Sequence, residues 1–224
     1  MLKWYEQNVP DNDVVISSRV RLARNLESYP FSGKLNEDQA VTLVNEVKQI
    51  TPSLSEEDSR KYYACNISTL SDIDKSAMVE RHIVSPLLAA KEQTTGLILS
   101  EDETVSIMIN EEDHVRIQTI IGGMNLDQAY ELADKIDDVA YDKLHFAYDE
   151  KYGYLTECPT NAGTGMRASC MVFLPALSSA RLIQKLIEEV GKYGMTIRGI
   201  YGEGSKSLGS MFPISNQKTL GNSE

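Results

Sequence analysis

The stretch "GLILSEDETVSIMINEEDHVRIQTIIGG", from Gly96 to Gly123, decides the fold of this chain. It contains three apolar runs, "GLILS", "TVSIMIN" and "VRIQTII", and in the middle run Val105, Ile107 and Ile109 recur at every second position. A period of two is typical of β-strands. Short polar links, "EDE" and "NEEDH", join the runs. The stretch therefore predicts hairpin-like strand pairs.

Segments on both sides of this stretch alternate between helical and strand-like patterns. Residues 36 to 50 are predicted to form a helix that ends before Pro52, and a second helix is predicted from Ser71 towards Pro86. A third has apolar residues at helical spacing: Leu126, Ala129, Ala133, Ile136 and Ala140. Ser178 is predicted to cap a fourth. Further strands are predicted in "LHFAY", "CMVFL" and "MTIRGIY". Strand pairs between long helices predict an α+β fold with a largely antiparallel sheet flanked by helices.

The composition limits the classes of function. The chain has 224 residues and a net charge of −11, so the chain as a whole is not expected to bind nucleic acid or anionic membranes. Its first residues lack the apolar core of a signal peptide, and no run approaches the ~20 apolar residues of a membrane helix. The three cysteines, Cys65, Cys158 and Cys170, lack CxxC spacing, which argues against disulfides and zinc sites. A reducing cytoplasm is the predicted compartment.

Ionisable residues gather in the second link of the opening stretch. Glu111, Glu112, Asp113 and His114 follow one another there, and Arg116 lies two residues further on. Links between strands are common places for site residues. A solvated turn is the alternative explanation for the same composition.

Arginines form a second signal. Arg19, Arg21, Arg116 and Arg167 lie on or beside predicted strands, and Arg198 lies in "TIRGIY". The rigid fork of arginine suits bidentate contacts with phosphate. Several arginines in an acidic protein indicate a bound polyanion, for which a nucleoside triphosphate is the natural candidate. The chain has no P-loop and no HRD or DFG motif of a protein kinase. Solvated strand faces are the alternative.

Other polar residues have ordinary structural explanations when each is taken alone. His82 lies near a predicted helix end, where a capping or packing role is common. Cys158 has the properties of a small buried residue. The glycines of "GEG" are usual in turns, and His145 is interpreted as structural.

Four motifs, in this order, resemble the landmarks of a known family. They are "SSRVRLAR", "NEEDHVR", "CPTNAGTGMRAS" and "RGIYGEG", the last followed by "ISNQKTLG". From about Asp13 to Glu224 the chain resembles the guanidino (phosphagen) kinases, which include creatine and arginine kinases. Within them, "YGYLTECPTN" and "IRGIYGEGS" are most similar to the bacterial protein-arginine kinases of the McsB type. The resemblance implies the guanidino-kinase catalytic fold, which is similar to that of glutamine synthetase.

The resemblance also implies roles for particular residues. Glu112 and Glu203 match the paired carboxylates that hold the acceptor guanidinium, and Cys158 matches the active-site cysteine. The residues expected to bind ATP are Ser17, Ser18, Arg19, Val20, Arg21, His82, Arg116, Arg167, Ala168, Ser169, Cys170, Met171, Arg198, Gly199, Ile200, Tyr201, Gly202 and Glu203. ATP and Mg²⁺ are the expected cofactors, and no metal-ligand residues are assigned.

The implied activity is transfer of the γ-phosphate of ATP to arginine side chains of proteins, in bacterial stress response and protein quality control. Phosphagen kinases have a helical N-terminal domain before the first motif, whereas 16 residues precede "SSRVR" here, which predicts an open site. Residues 1–224 are expected to form one catalytic domain, shortened at its C-terminus. The alternatives are a kinase for free arginine or another small guanidino compound, and a non-catalytic module that binds nucleotide or phosphoarginine.

The partners implied by the resemblance are proteins with exposed arginines as substrates, a transcription repressor, the Clp protease machinery and a zinc-binding activator. Neither direct nucleic-acid binding nor membrane binding is expected.

Overall fold

The computed structural model describes residues 2–7, 9, 13–197 and 209–221. The strands in these residues are β1 (Val15–Arg24), β2 (Tyr62–Asn66), β3 (Gly96–Ser100), β4 (Val105–Ile109), β5 (Val115–Gly122), β6 (Tyr148–Asp149), β7 (Gly153–Tyr154), β8 (Met166–Phe173), β9 (Met195–Ile197) and β10 (Met211–Asn216). Eight of them form one sheet in the order β2-β3-β4-β5-β1-β8-β10-β9, and β6 pairs with β7. Every pairing is antiparallel, which confirms the predicted sheet.

The predicted strands of the opening stretch lie together in this sheet as β3, β4 and β5. Ile98 is opposite Ile107, Ile107 is opposite Ile117, and Ile117 is opposite Leu22 of β1. All four side chains are fully buried. Burying an aliphatic side chain of this size contributes about 1.5–3 kcal/mol, so this row anchors the centre of the core.

Helices cover one face of the sheet. The helices of the described residues are α1 (Glu37–Lys48), α2 (Thr51–Asp58), α3 (Asp72–Glu80), α4 (Pro86–Ala90), α5 (Leu126–Tyr141), α6 (Pro175–Ser179) and α7 (Ile183–Gly191). α1 packs on β3, α2 on β2, and α5 on β1 and β5. The predicted apolar residues of α5, Ala129, Ala133, Ile136 and Ala140, are fully buried. This side of the sheet is therefore closed to solvent.

The ends of α1 and α3 follow from local hydrogen bonds. Asn36 caps α1, since its side chain accepts the N–H of Gln39 while the Gln39 side chain accepts the N–H of Asn36. α3 begins after Ser71 as predicted, but it ends at Glu80 rather than near Pro86. His82 is in the left-handed region with φ of 60°, and this conformation turns the chain out of the helix.

The second face of the sheet is covered only in part among the described residues. Side chains from the segments around α3 and α4 pack on β3 and β4, and the buried members of this cluster are Ile67, Ile83, Val84, Leu88, Leu97 and Met108. The part of this face formed by β5, β1, β8 and β10 is left as the floor of a cleft.

Two helix boundaries differ from the sequence interpretation. Pro52 does follow α1, but it also lies in the first turn of α2, where a residue without an N–H breaks no helical hydrogen bond. Ser178 does not cap the last helix, because it lies inside α6, and Leu182 precedes α7. The helices α2 and α6 are short and begin with proline, so they show little apolar periodicity, and the sequence pattern did not predict them as separate helices.

The predicted strand "LHFAY" is wrong except for its last residue. Tyr148 begins the short strand β6, whereas Phe146 makes a single bridge with Leu26. The Ala147 N–H donates to the Asn25 oxygen at 2.7 Å, so this segment is extended chain that runs beside the residues after β1. Of the predicted strand "MTIRGIY", Met195–Ile197 forms β9, and the rest lies outside the described residues.

Candidate active site

A cleft of about 400 Å³ opens over the uncovered face of the sheet. Strands β1, β5, β8 and β10 form its floor, and residues around α3 and α4 form a wall. Its polar lining residues include Arg19, Arg21, His82, Ser85, Glu112, Arg116, Gln118, Cys158, Thr160, Asn161, Arg167, Ser169 and Ser215. Residues from all parts of the sequence that carried the motifs thus meet in one place, apart from the motif around Arg198.

Strand register brings the arginines together. Arg19 and Arg21 alternate with buried Val20 and Leu22 along β1, so both arginines point into the cleft. Arg21 is directly opposite Arg167 on β8 and opposite Gln118 on β5. Adjacent strands lie about 4.8 Å apart, so the guanidinium groups of neighbouring strands face the same small volume.

Arg19 and Arg21 on the floor form no ion pair with a carboxylate of the described residues. The Nε of Arg19 donates to the Ser169 hydroxyl at 3.4 Å, and the Nε of Arg21 is buried without a hydrogen-bond partner. Burial, with Arg116 and Arg167 nearby, lowers the pKa of Arg19 to about 10. Burial lowers the pKa of Arg21 well below its usual value, and Arg19, Arg116 and Arg167 lower it further against a smaller opposing effect of Glu111. Like charges facing each other across strands are destabilising, so this floor favours a bound anion.

Arg116 differs because it is paired with two carboxylates. Its guanidinium forms a very short ion pair with Glu111 and a second ion pair with Glu112 at 2.9 Å. Burial works against the charge of Arg116, but Glu111 and Glu112 outweigh it, so the pKa of Arg116 is raised. Arg116 therefore links the arginine floor to the acidic residues of the link between β4 and β5.

Glu112 is the residue of that link whose side chain reaches the cleft. Its side chain is 34% exposed, whereas that of Glu111 is fully buried, as are Asp113 and His114. The alternative of a solvated turn is therefore wrong for this link. The other three residues form a scaffold that holds Glu112 in place.

The scaffold ties the link to the chain beyond β1. The Nδ1 of His114 accepts the N–H of Leu26, and its Nε2 lies 2.9 Å from the Pro30 oxygen, which requires a neutral ring protonated on Nε2. Burial lowers the pKa of His114, in agreement with a neutral ring. The Asp113 carboxylate accepts the side-chain N–H of Asn25 at 2.7 Å. The side chains of Asp113 and His114 are both fully buried, and neither lines the cleft.

Cys158 lines the cleft together with Glu112. Its Sγ is 3.0 Å from the Thr160 hydroxyl. Asn161 connects the two charged groups of the site, since its side chain donates to Glu112 at 3.4 Å and accepts from Arg167 at 3.4 Å. Sequence reasoning gave Asn161 no role, although it stands in the quoted motif "CPTNAGTGMRAS" beside Cys158.

Four residues expected to bind ATP point to the other face of the sheet. Ser18 and Val20 alternate with the arginines of β1, and the Ser18 hydroxyl donates to the Gly123 oxygen at 2.8 Å. Ala168 packs against the main core and Cys170 against a second apolar cluster, again because β8 alternates. These four side chains do not line the cleft.

Besides the arginines, four expected residues do lie at the cleft. Ser169 lines it directly. Ser17 and Met171 line a small adjoining cavity together with Trp4. His82 lies on the wall, where it also ends α3 in a left-handed conformation. Burial, with a smaller effect of Arg19, lowers the pKa of His82 to about 4, so the ring is neutral near pH 7.

The remaining predicted residues are Arg198, Gly199, Ile200, Tyr201, Gly202 and Glu203, and they lie outside the described residues. The described ranges contain no group of three or more His, Cys, Asp or Glu side chains arranged to hold a metal ion. Within the same ranges, no helix has the length and apolar character needed to span a membrane.

Comparison with protein families identifies the fold and its general class. Residues 42–224 match the family model of the ATP:guanido phosphotransferase C-terminal catalytic domain. The chain belongs to this family. Family membership agrees with the antiparallel sheet and with the motifs that line the cleft.

Within this family, the chain is similar to proteins named protein-arginine kinase. The chain is 43% identical over 221 residues to the protein-arginine kinase of Brevibacillus brevis, covering 99% of this chain and 62% of the relative. It is 44% identical over 225 residues to that of Clostridium acetobutylicum, covering 100% of this chain and 66% of the relative. The chain thus spans somewhat less than two thirds of the length of these relatives.

Solved structures share the fold. The duplicated taurocyamine kinase from Schistosoma mansoni with bound transition state analog components superposes with a TM-score of 0.86 at 29% identity, covering 100% of this chain and 32% of that one. Lombricine kinase superposes with a TM-score of 0.79 at 22% identity, covering 100% of this chain and 64% of that one. At 22% identity the second comparison supports the fold alone.

Proposed function

We propose that residues 1–224 form the catalytic domain of a protein-arginine kinase, which transfers the γ-phosphoryl group of ATP to arginine side chains of proteins. The observation that supports this most is the division of charge within one cleft. Arg19, Arg21 and Arg167 face an anion-sized space, and Glu112 stands at its rim. An anionic donor and a cationic acceptor can therefore meet between them.

The arginines act on the triphosphate. Arg21 and Arg167 are directly opposite on neighbouring strands, so their guanidinium forks can contact adjacent phosphate oxygens. Phosphoryl transfer depends mostly on positioning and on neutralising charge, and both follow from groups fixed on a sheet. Arg198, outside the described residues, is proposed as a further arginine that contacts the phosphates, and His82 as a neutral neighbour of the nucleotide.

Glu112 acts on the acceptor. The pKa of a free guanidinium lies above ~12, so an arginine needs a group that orients it and takes its proton. The carboxylate of Glu112 already holds the Arg116 guanidinium at 2.9 Å, which supports its suitability for a second guanidinium. The acceptor nitrogen attacks the γ-phosphorus, the bond to the ADP oxygen breaks, and the N–H proton passes to a carboxylate.

Two further groups complete the acceptor side. Glu203, outside the described residues, is proposed as the second carboxylate of the clamp. Cys158 lines the same cleft as Glu112 and is proposed to contribute a polar sulfur close to the guanidinium. The hydrogen bonds of Asn161 with Glu112 and Arg167 place it between the two halves of the reaction, so it is proposed as a positioning residue.

Magnesium is expected with the triphosphate, but the described residues do not form a site for it on their own. Glu112 is the one carboxylate that lines the described cleft, and it is already paired with Arg116. Mg²⁺ prefers oxygen ligands and keeps several waters, often with one or two carboxylates and phosphate oxygens. Its ligands would therefore come mainly from the phosphates and water, where it would neutralise charge.

We propose protein arginine rather than a small guanidino compound as the acceptor, because the chain shares more sequence identity with relatives named protein-arginine kinase. The two protein-arginine kinases described above are 43% and 44% identical to this chain, whereas the taurocyamine kinase is 29% identical. Protein substrates with exposed arginines are thus the proposed partners. A transcription repressor, the Clp protease machinery, a zinc-binding activator and a cytoplasmic location stay predictions from the resemblance.

The test offers two acceptors in parallel. The protein, ATP and Mg²⁺ are incubated with either an unstructured basic protein or free arginine at equal arginine concentration. Phosphate should appear on arginines of the protein, with little transfer to free arginine. The product should be acid-labile because protonation of the P–N nitrogen makes it a good leaving group. Mass spectrometry without acid treatment locates the phosphate. Preferential transfer to free arginine, or an acid-stable product, contradicts the proposal.

A further inference from the structure

A second cavity opens beside the cleft, and it leads from the surface to Glu112. Its volume is about 400 Å³. Glu112 and Cys158 line both this cavity and the cleft, so the two spaces meet at these residues. The other walls include Gly33, Leu87, Lys91 and Glu157. We refer to this cavity as the acceptor groove.

The acceptor groove has an exposed carboxylate, that of Glu157, whose charge also acts on the nearby Lys91. Glu157 is exposed, and its Oε2 accepts the N–H of Gly33 at 2.9 Å, which fixes the direction of the carboxylate. The other carboxylate oxygen faces Gly33 so closely that a Cβ at this position would lie 2.4 Å from it. A glycine at position 33 therefore leaves room for the Glu157 side chain over the groove.

The positive group of the groove is occupied by the protein itself. The Lys91 ammonium donates to the Asn110 main-chain oxygen at 3.0 Å, to the Asn110 side-chain oxygen at 3.0 Å and to the Glu111 oxygen at 2.9 Å. An ammonium has three N–H donors, so these contacts use all of them. Lys91 thus supports the link that carries Glu112 and does not offer a charge to a ligand.

An apolar surface completes the groove. Leu87, on α4, is 55% exposed, and Pro86 beside it is exposed and lines the cleft. The groove therefore combines an apolar wall, an exposed carboxylate and an opening to Glu112. This combination suits a polypeptide with aliphatic and basic side chains. A small guanidino compound held at Glu112 would leave these surfaces unused.

We propose that the acceptor groove binds the substrate segment that flanks the target arginine, and that Glu157 selects segments with a lysine or arginine beside the target. This inference rests on the proposed protein-arginine kinase activity and adds a preference to it. The net charge of −11 also attracts basic segments at long range, but it does not select which neighbour is basic. The contact of Glu157 with a basic side chain provides that selection.

The test compares two peptides of equal length, each with a single arginine. In one peptide two lysines lie directly beside the arginine, and in the other glycines flank the arginine and the same two lysines lie at the peptide ends, so that both peptides have equal net charge. The wild-type protein should phosphorylate the lysine-flanked peptide with kcat/KM about three- to fivefold higher, as expected for one exposed ion pair. Glu157→Gln should remove this preference while leaving the glycine-flanked peptide within about twofold. Glu150→Gln, which removes an exposed carboxylate from the β6–β7 turn, is the matched control and should keep the preference.

A second variant and a binding measurement separate the possible failures. Leu87→Ser should raise KM for both peptides and leave KM for ATP unchanged, because Leu87 lies in the groove. If both peptides receive phosphoarginine equally and Glu157→Gln changes nothing, the groove proposal is overturned while the kinase activity stands. If neither peptide receives phosphoarginine, the proposed function fails. The affinity of fluorescent peptides for wild type and Glu157→Gln then still tests the groove, since equal affinities overturn it.

Discussion

Arg21 and Arg116 lie on the neighbouring strands β1 and β5, but their surroundings are opposite in charge. Arg21 faces Arg167 across the strands and forms no ion pair within the described ranges, and its pKa is lowered by burial and by nearby arginines. Arg116 forms ion pairs with Glu111 and Glu112, and its pKa is raised. One region is thus prepared for an anion that comes from outside, whereas the other is neutralised from within.

The two arginines are therefore expected to contribute differently to anion binding and to the stability of the fold. A fixed cluster of like charges is unfavourable until a ligand neutralises it, and groups held in this way bind an anion without rearranging. An internally paired arginine contributes to the fold instead. The same side-chain type is therefore proposed to bind the ligand on the floor and to position Glu112 at the rim.

The largest expected effect comes from the rim carboxylate. Glu112→Gln should lower turnover of protein arginine by about 10²- to 10⁴-fold, because an amide cannot accept the proton that leaves the guanidinium. The measurement is the rate of phosphoarginine formation at saturating ATP and acceptor. Glu150→Gln, an exposed carboxylate elsewhere, should leave the rate unchanged. Turnover within tenfold of wild type in Glu112→Gln contradicts a role for Glu112 in the chemistry.

The next effect concerns stability without ligand. Arg116→Ala should lower the free energy of unfolding by about 3 kcal/mol, because it leaves the buried Glu111 carboxylate without its cation. Arg21→Ala should not lower it, since the change removes a like charge from the floor. Urea unfolding monitored by circular dichroism provides both values. A loss in Arg21→Ala as large as in Arg116→Ala would remove the distinction between the two regions.

A smaller effect concerns pH and His82, which faces the arginine floor. Its pKa is lowered to about 4, so the unfolded chain takes up a proton there at a higher pH than the folded chain does. Stability should therefore fall as the pH decreases from 6.5 to 4. Asn tolerates the left-handed conformation, so His82→Asn should fold and should reduce this loss. Unfolding free energies at pH 4.5 and pH 7 test it, and an unchanged pH dependence in the variant is the contrary result.

The strands and the convergence of the arginines could be predicted from the sequence because both follow from a period of two. Alternation along β1 places Arg19 and Arg21 on one face whatever the rest of the chain does. The same rule predicts that the side chains of Ser18, Val20, Ala168 and Cys170 point to the opposite face of the sheet from these arginines, as the structure shows.

The roles within "NEEDH" could not be predicted from the sequence. They depend on partners that lie far away in the chain, such as Leu26 and Pro30 for His114. The end of α3 was missed for a related reason, because His82 adopts a left-handed conformation that usually belongs to glycine. The local sequence pattern therefore predicted the strands and the acidic link between β4 and β5, but it did not predict which residues of that link are buried.

The most direct test of the division of charge is the ATP affinity of two variants, measured by calorimetry with Mg²⁺ present. Arg21→Ala should weaken ATP binding by about 10- to 100-fold, as expected for loss of a hydrogen bond to a charged group. Glu112→Gln should leave ATP affinity unchanged or slightly higher, because it removes a negative charge from the rim. Unchanged affinity in Arg21→Ala, or equal weakening in both variants, would contradict an arginine floor for the phosphates and a carboxylate rim for the acceptor.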